Sequence, residues 1–165
     1  MALEIERKFL MKEFPSDLEV IREVDIWQGY VSIDPEVRIH KAKDRKSGVE
    51  NFRLTLKGDG TLTRTEIKTD IDGAFYQESL GLMTGEVIYK DYRSYRLGDD
   101  ILEVCHVDPG KASEFLYAEI ELKSEEEANA FIKPDFLGED VTDNDYYKMK
   151  NYWKRTRLFA TPICP

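Results

Sequence analysis

The segment Leu3-Glu4-Ile5-Glu6-Arg7-Lys8-Phe9 alternates between two kinds of side chain, which is the pattern of a β-strand. One face of this strand is apolar apart from Arg7. The opposite face carries three charged residues, Glu4, Glu6 and Lys8. Taken alone, the pattern fits a half-buried strand whose charged face meets water.

A second copy of the same pattern lies near the other end of the chain. Residues 119–123 read Glu-Ile-Glu-Leu-Lys, and Ala118, Ile120 and Leu122 form the apolar face. Two strands that each align two carboxylates with an ammonium group indicate a site that binds cations and anions together.

Length and composition favour one domain over residues 1–165, large enough to bury a core without disulfides or structural metals. The net charge is −9, from 33 acidic and 24 basic residues, which argues against a nucleic-acid-binding protein.

No stretch approaches the roughly 20 apolar residues that cross a bilayer, and the first residues lack a signal-peptide core, so we expect a cytoplasmic protein without a membrane partner. Cys105 and Cys164 form neither a disulfide framework nor a zinc motif.

The pattern along the chain predicts about eight strands, mostly antiparallel, and a few short helices. The helices are expected to start near Ser16, Asp72, Ser124 and Thr142, the first and third with capping boxes. In nearly every strand one face is apolar and the other carries charges of both signs. This α+β, mainly antiparallel chain could form an open sheet covered by helices, or a closed barrel with its charged face inside.

A closed barrel would bring the charged rows face to face. The basic row would then donate to phosphate oxygens, and it comprises Lys8, Arg38, Arg53, Lys57, Arg64 and Lys90. The acidic row would supply hard oxygen ligands for Mg²⁺ or Mn²⁺, and it comprises Glu4, Glu6, Glu66, Glu119 and Glu121. Because buried charges are expensive when unpaired, each row makes sense beside a polyanion and its metal ions.

The opening motif Glu4-Ile5-Glu6-Arg7-Lys8-Phe9-Leu10 resembles that of the CYTH superfamily, the triphosphate tunnel metalloenzymes. The resemblance continues almost to the end of the chain, through Gln28-Gly29-Tyr30, Val37-Arg38, Leu54-Thr55-Leu56-Lys57, Arg64-Thr65-Glu66, Lys90, Ala118-Glu119-Ile120-Glu121 and residues 137–142. It implies a closed eight-stranded antiparallel tunnel with short helices outside, and metal-dependent chemistry on a triphosphate. Family members include inorganic triphosphatases, thiamine triphosphatases and class IV adenylyl cyclases.

The resemblance also implies roles for single residues. The five glutamates of the acidic row correspond to metal ligands for Mg²⁺ or Mn²⁺. The basic row, with Arg93 added, corresponds to the phosphate-binding positions. Tyr30 corresponds to a tyrosine proposed as a proton acceptor, and it forms the catalytic set together with Lys8. A tyrosine among cations can have a lowered pKa, and plain packing inside the barrel is the alternative explanation for this residue.

Four departures from the family pattern bear on activity. His40 stands where Arg-x-Arg is common, Lys68 where a second glutamate is common, and Cys105 where an acid is common. Arg93 lies one place beyond the usual Lys-x-Arg spacing. The expected function is hydrolysis of a triphosphate-containing small molecule, with a class IV type adenylyl cyclase and a non-catalytic polyphosphate or nucleotide binder as alternatives, and a homodimer is compatible with the sequence.

Overall fold

The structure, a computed structural model, describes residues 3–159. Eight antiparallel strands form a closed barrel in the order β1-β5-β4-β3-β2-β6-β7-β8. The strands are β1 Leu3–Met11, β2 Val20–Ser32, β3 Glu36–Asp44, β4 Glu50–Lys57, β5 Thr63–Ile71, β6 Ile88–Leu97, β7 Asp100–Val107 and β8 Phe115–Glu121. The helices are α1 Gly73–Leu80, α2 Glu125–Ala130 and α3 Met149–Trp153.

Closure depends on the first strand, which pairs with two different partners. Residues Leu3–Ile5 pair with β5, and Glu6–Met11 pair with β8. The first and last strands are therefore joined, and the sheet has no free edge. This confirms the expected closed barrel and excludes the open sheet.

The apolar faces of the strands point outward, where helices and loops cover them. Phe9, Leu102 and Ile120 are fully buried on the outside of β1, β7 and β8, together with Ala128 of α2 and Leu137 of the following loop. On the opposite side, α1 packs on β2, β3 and β4. The hydrophobic core therefore surrounds the barrel, and the charged faces are left to line its interior.

The segment around α3 covers one end of the barrel. Met149, Tyr152 and Trp153 pack in one cluster with Tyr30 and Tyr117, which point into the interior from β2 and β8. The indole Nε1 of Trp153 donates to the backbone carbonyl of Glu86 at 3.0 Å. One end of the barrel is thus closed by side chains. No helix within residues 3–159 is long and apolar enough to cross a membrane.

Two of the expected helices differ from the structure. The helix expected at Ser16 was wrong, because β2 begins at Val20 and leaves too little chain, and the Ser16 hydroxyl donates to Asp17 at 3.1 Å. The long helix expected from Thr142 is instead a 3₁₀ turn, Asp145–Tyr147, then α3 and a π-helical turn, Lys154–Leu158. The helices near Asp72 and Ser124 are confirmed, and each of these residues caps its helix. Cys164 lies outside the described residues.

A buried carboxylate fastens the C-terminal segment to the barrel. Asp108 is 2% exposed and follows β7 directly. Its carboxylate accepts from Tyr152 Oη at 2.7 Å and from Arg157 Nη2 at 2.9 Å, and Arg157 Nη1 lies 2.7 Å from it. These bonds lower the pKa of Asp108 despite its burial. A charged, fully bonded Asp108 therefore holds the segment that closes the barrel.

We expect Asp108→Asn to lower the free energy of unfolding by about 3 kcal/mol, because the guanidinium of Arg157 would stay buried without its counter-charge. Asparagine tolerates the positive φ of 46° found at this position, so the backbone should not be strained. Urea unfolding measures the change. Asp145→Asn removes an exposed ion pair with Lys148 and is the control, with an expected loss below about 1 kcal/mol. Equal losses in the two variants would contradict the anchoring role.

Candidate functional site

The interior of the barrel contains a polar cavity of about 180 Å³. Six glutamates line it: Glu4, Glu6, Glu36, Glu66, Glu103 and Glu119. Eight basic residues line it too: Lys8, Arg38, Lys57, Arg64, Lys68, Lys90, Lys148 and Lys150. Although the whole chain carries a net charge of −9, this cavity has more cations than carboxylates. The cavity therefore suits an anion, and its carboxylates suit cations that accompany the anion.

Lys57 and Arg64 connect the glutamates of the opening strand with that of β5. The Lys57 ammonium lies 2.9 Å from Glu4 and 3.0 Å from Glu66. Arg64 donates from Nε to Glu4 at 3.1 Å and from Nη2 to Glu6 at 2.9 Å. Because β1, β4 and β5 are neighbours with inward-facing charges, the barrel itself sets these contacts.

A second group of charges joins β1, β6 and β8. Lys8 donates to Glu119 at 2.9 Å, and its ammonium lies 3.8 Å from the centre of the Tyr117 ring. Lys90 donates to the hydroxyl of Tyr117 at 2.9 Å. Burial lowers the pKa of Lys90 to about 8. Among residues 3–159 no carboxylate lies at hydrogen-bond distance from the Lys90 ammonium, which therefore remains available to an anion.

Two of the glutamates have opposite electrostatic surroundings. Burial, together with the nearby carboxylates of Glu119 and Glu4, raises the pKa of Glu6 to about 7. Burial would also raise the pKa of Glu66, but Lys57 and Lys68 bring it down to about 2. Glu6 thus lies in an excess of negative charge that a divalent cation would relieve, whereas Glu66 is already neutralised.

The donor set fits a hard divalent ion, but the carboxylates are engaged with other partners. Glutamate oxygens are the ligands that Mg²⁺ and Mn²⁺ prefer. Within residues 3–159, no three His, Cys, Asp or Glu side chains are gathered closely enough to hold a metal ion as they stand. Lysine and arginine side chains form ion pairs with these carboxylates instead. A metal ion would therefore bind here by replacing ammonium and guanidinium groups as partners of the glutamates.

Tyr30 lies at the closed end of the cavity, and the pKa of its hydroxyl is not lowered there. Its hydroxyl accepts a hydrogen bond from Gln28 at 2.9 Å, and its ring lies 5.5 Å from that of Trp153. Burial raises the pKa of Tyr30, and this outweighs the opposite influence of Arg38. The pKa is raised rather than lowered, because burial behind α3 favours the neutral phenol, and this agrees with the alternative of plain packing inside the barrel.

Arg93 does not reach the cavity, which corrects its predicted place in the phosphate site. It lies three residues after the inward-facing Lys90 and therefore on the outer face of β6. There its guanidinium donates to Asp91 at 3.0 Å and lies 3.9 Å from the centre of the Phe14 ring.

Two further predicted site residues, Arg53 and Glu121, lie on the inward faces of their strands, toward the end of the barrel away from α3. Arg53, whose side chain is 40% exposed, pairs with Asp70 at 3.0 Å. Glu121 is exposed and stands opposite Glu6 in the pairing of β1 with β8. Neither belongs to the residues that line the cavity. They flank its entrance.

Three residues that depart from the family pattern, His40, Lys68 and Cys105, all line the cavity. Lys68 pairs with Glu66 and so adds a cation on β5. Burial and the cations Arg38 and Arg53 lower the pKa of His40 to about 3, so the imidazole is neutral at physiological pH. Burial raises the pKa of the Cys105 thiol to about 11, which keeps it neutral as well.

Four charged lining residues were missed in the sequence: Glu36, Glu103, Lys148 and Lys150. Glu36 precedes Arg38 by two positions on β3, so the strand alternation could have revealed it. Lys148 and Lys150 come from the segment that begins α3, and nothing in their spacing links them to the strands. Lys150 lies 3.8 Å from Glu36, which ties this segment to the barrel wall.

Because His40 is neutral in the folded protein, we expect the free energy of unfolding to fall at low pH. Between its folded pKa of about 3 and its ordinary value of 6.5, the unfolded chain binds a proton that the folded chain does not. Stability due to this group is therefore lost as pH falls below 6.5. On lowering the pH from 7.5 to 5, we expect wild type to lose about 2 kcal/mol more than His40→Gln, measured by urea unfolding. Parallel pH curves for the two proteins would contradict this result.

Comparison with known proteins gives relatives that span almost the whole chain. No family model matches. The chain is 35% identical over 150 residues to an inorganic triphosphatase of Nitrosomonas europaea, covering 89% of this chain and 94% of that protein. A solved structure of an inorganic triphosphatase superimposes with a TM-score of 0.62 at 30% identity, over 92% of this chain and 95% of the other. A Pyrococcus horikoshii protein shares the fold, with a TM-score of 0.55 at 23% identity over 77% of this chain and 82% of the other.

Proposed function

Since the chain belongs to the CYTH family of triphosphate tunnel metalloenzymes, we propose that it hydrolyses inorganic triphosphate with a divalent metal ion inside the barrel. The observation that carries this proposal is the cavity, closed at one end and lined by eight basic residues and six glutamates. Both charge types have a role, because the cations can bind the phosphate oxygens and the glutamates can hold the metal ion that neutralises the remaining charge.

The size of the cavity favours an inorganic chain over a nucleotide. Its volume of about 180 Å³ is below the roughly 300–1,000 Å³ of pockets that enclose drug-sized ligands. A triphosphate chain suits this space better than a triphosphate together with its nucleoside. Adenylyl cyclase chemistry needs a bound ribose whose hydroxyl attacks the α-phosphorus, and so it is the second candidate rather than the first.

We assign the phosphate contacts to five cavity residues: Lys8, Arg38, Lys57, Arg64 and Lys90. Their ammonium and guanidinium groups neutralise the charge that develops on the transferred phosphoryl group. We assign the metal contacts to Glu4, Glu6, Glu66 and Glu119, with Glu121 at the entrance. A bound Mg²⁺ or Mn²⁺ would supply further charge neutralisation and a more acidic water.

Substrate binding in this proposal is an exchange of partners among existing charges. In the free protein Lys57 and Arg64 neutralise Glu4, and Lys8 neutralises Glu119. When the anion enters, these cations turn to phosphate oxygens and release their carboxylates. These charges keep a partner in both states, which lowers the cost of burying them.

Lys8 and Tyr30 are the residues we place at the reacting atoms. The Lys8 ammonium, which donates to Glu119 in the free protein, stabilises negative charge on the departing phosphate. Because burial raises its pKa, Tyr30 stays protonated and acts as a hydrogen-bond donor to phosphate oxygen. This role replaces the proton acceptor expected from the sequence.

Two broader features are part of the proposal. A cytoplasmic location is supported by the buried free thiol of Cys105. A homodimer is supported by Leu3, Leu56 and Ile67, which remain exposed on the outer faces of β1, β4 and β5. Sedimentation equilibrium that gives a mass of one chain would remove the dimer from the proposal.

One assay separates the candidate functions. The purified protein is incubated with tripolyphosphate or ATP, with and without Mg²⁺ or Mn²⁺, and the products are separated. Metal-dependent release of orthophosphate from tripolyphosphate supports the hydrolase. Pyrophosphate with cyclic AMP from ATP would support the cyclase instead, and tight binding without turnover would support a binding protein.

We expect Glu6→Gln to lower tripolyphosphate turnover about a hundredfold, because it removes a negative charge that the metal ion would use. Folding should survive and the metal-free protein should be no less stable, since the change relieves repulsion from Glu119 and Glu4. Phosphate release and metal-dependent melting measure both effects. Glu78→Gln makes the same exchange at an exposed position of α1 and should behave as wild type. Normal metal-dependent turnover in Glu6→Gln would rule out the assignment.

We expect Lys68→Glu to lower the half-saturating Mn²⁺ concentration roughly tenfold, because a cation that neutralises Glu66 becomes a carboxylate. The variant should also bind metal-free tripolyphosphate more weakly. Lys43→Glu makes the same charge change at an exposed position of β3 and is the control. If both variants shift the metal titration equally, Lys68 acts only through net charge and lies outside the site.

A further inference from the structure

Thr55 is a fully buried polar residue without a hydrogen-bond partner. It lies on β4 between Arg53 and Lys57, on the face that points into the barrel, and its exposure is 0%. Within residues 3–159 its Oγ1 atom makes no hydrogen bond. Buried hydroxyls are nearly always paired, because leaving one unpaired costs stability. The structure therefore contains a hydroxyl whose partner is not another side chain or the backbone.

The charges around this hydroxyl are cationic. The strand register places Arg38 of β3 on one side of Thr55 and Lys68 of β5 on the other. Nε of Arg38 is also buried and has no hydrogen-bond partner in the described part of the chain. The adjacent strands thus present two unused donors, an O–H and an N–H, in a wall of positive charge.

A phosphoryl group matches these donors. Its oxygens are strong acceptors and carry negative charge, so a hydroxyl and a guanidinium N–H can each donate to it. The cations beside the hydroxyl, Arg38 and Lys68, share the single carboxylate of Glu66, so an anionic acceptor suits this position better than a neutral one. An apolar residue of the same shape, such as valine, would fill the position without an unpaired group.

We propose that Thr55 is a substrate-binding residue whose hydroxyl donates to a phosphoryl oxygen of the bound triphosphate, next to the Nε–H of Arg38. This assignment rests on the proposed function for the identity of the anion. It adds a second neutral donor, beside Tyr30, to a site otherwise built from charged side chains. The contact forms only in the loaded protein, so the free protein bears the cost of the unpaired hydroxyl.

The test uses Thr55→Val in the full chain, with tripolyphosphate titrated into metal-free protein and followed by calorimetry. We expect affinity to fall about tenfold or more, as for a lost hydrogen bond to a charged group. Without ligand, the variant should melt at the same temperature as wild type or higher, because valine removes an unpaired buried hydroxyl. Thr55→Ser keeps the donor and should bind within about threefold of wild type.

Thr69→Val, at an exposed position on the outer face of β5, is the matched control and should bind as wild type. Unchanged tripolyphosphate affinity in Thr55→Val would overturn the proposal, and so would a lower melting temperature without ligand, which would make the hydroxyl structural. If wild type hydrolyses tripolyphosphate and Thr55→Val binds normally, the inference fails and the proposed function stands. If wild type binds but does not hydrolyse, and Thr55→Val binds weakly, the function fails and the Thr55 contact stands.

Discussion

Mutual neutralisation of buried charges is the constraint on which this structure depends. Lys57 lies within 3.0 Å of Glu4 and of Glu66, and Arg64 bonds both Glu4 and Glu6. These contacts join β1 to β5 and β4, and the pair of Lys8 with Glu119 joins β1 to β8 on its other side. Opening the barrel on either side of β1 would therefore separate an acid from a base, and each would then need water. The charge network and the closed sheet therefore require each other.

Because the interior is polar, hydrophobic stabilisation has to come from outside the barrel. Phe9, Leu102 and Ile120 are fully buried between the strands and the surrounding helices and loops. This arrangement leaves interior side chains free to exchange partners without disturbing the packed core. The fold can thus be stable while its cavity rearranges around a ligand.

Much of this architecture could be predicted from the alternation of side chains, and the remainder depended on tertiary contacts. Residues 3–9 and 118–122 indicated the charged faces correctly, but a period of two is the same in an open sheet and in a barrel. Only the pairing of β1 with both β5 and β8 decides between them. The same alternation would have excluded Arg93, whose odd spacing from Lys90 puts it outside. The raised pKa of Tyr30 and the cavity positions of Lys148 and Lys150 depend on how α3 packs, which local pattern does not encode.

The segment around α3 covers one end of the barrel, where Met149, Tyr152 and Trp153 pack with Tyr30 and Tyr117. Opening this end would require these buried side chains to leave their cluster. The same movement would break the bonds of Tyr152 and Arg157 to Asp108. The carboxylate that anchors the segment therefore also sets the energetic cost of opening this end of the barrel.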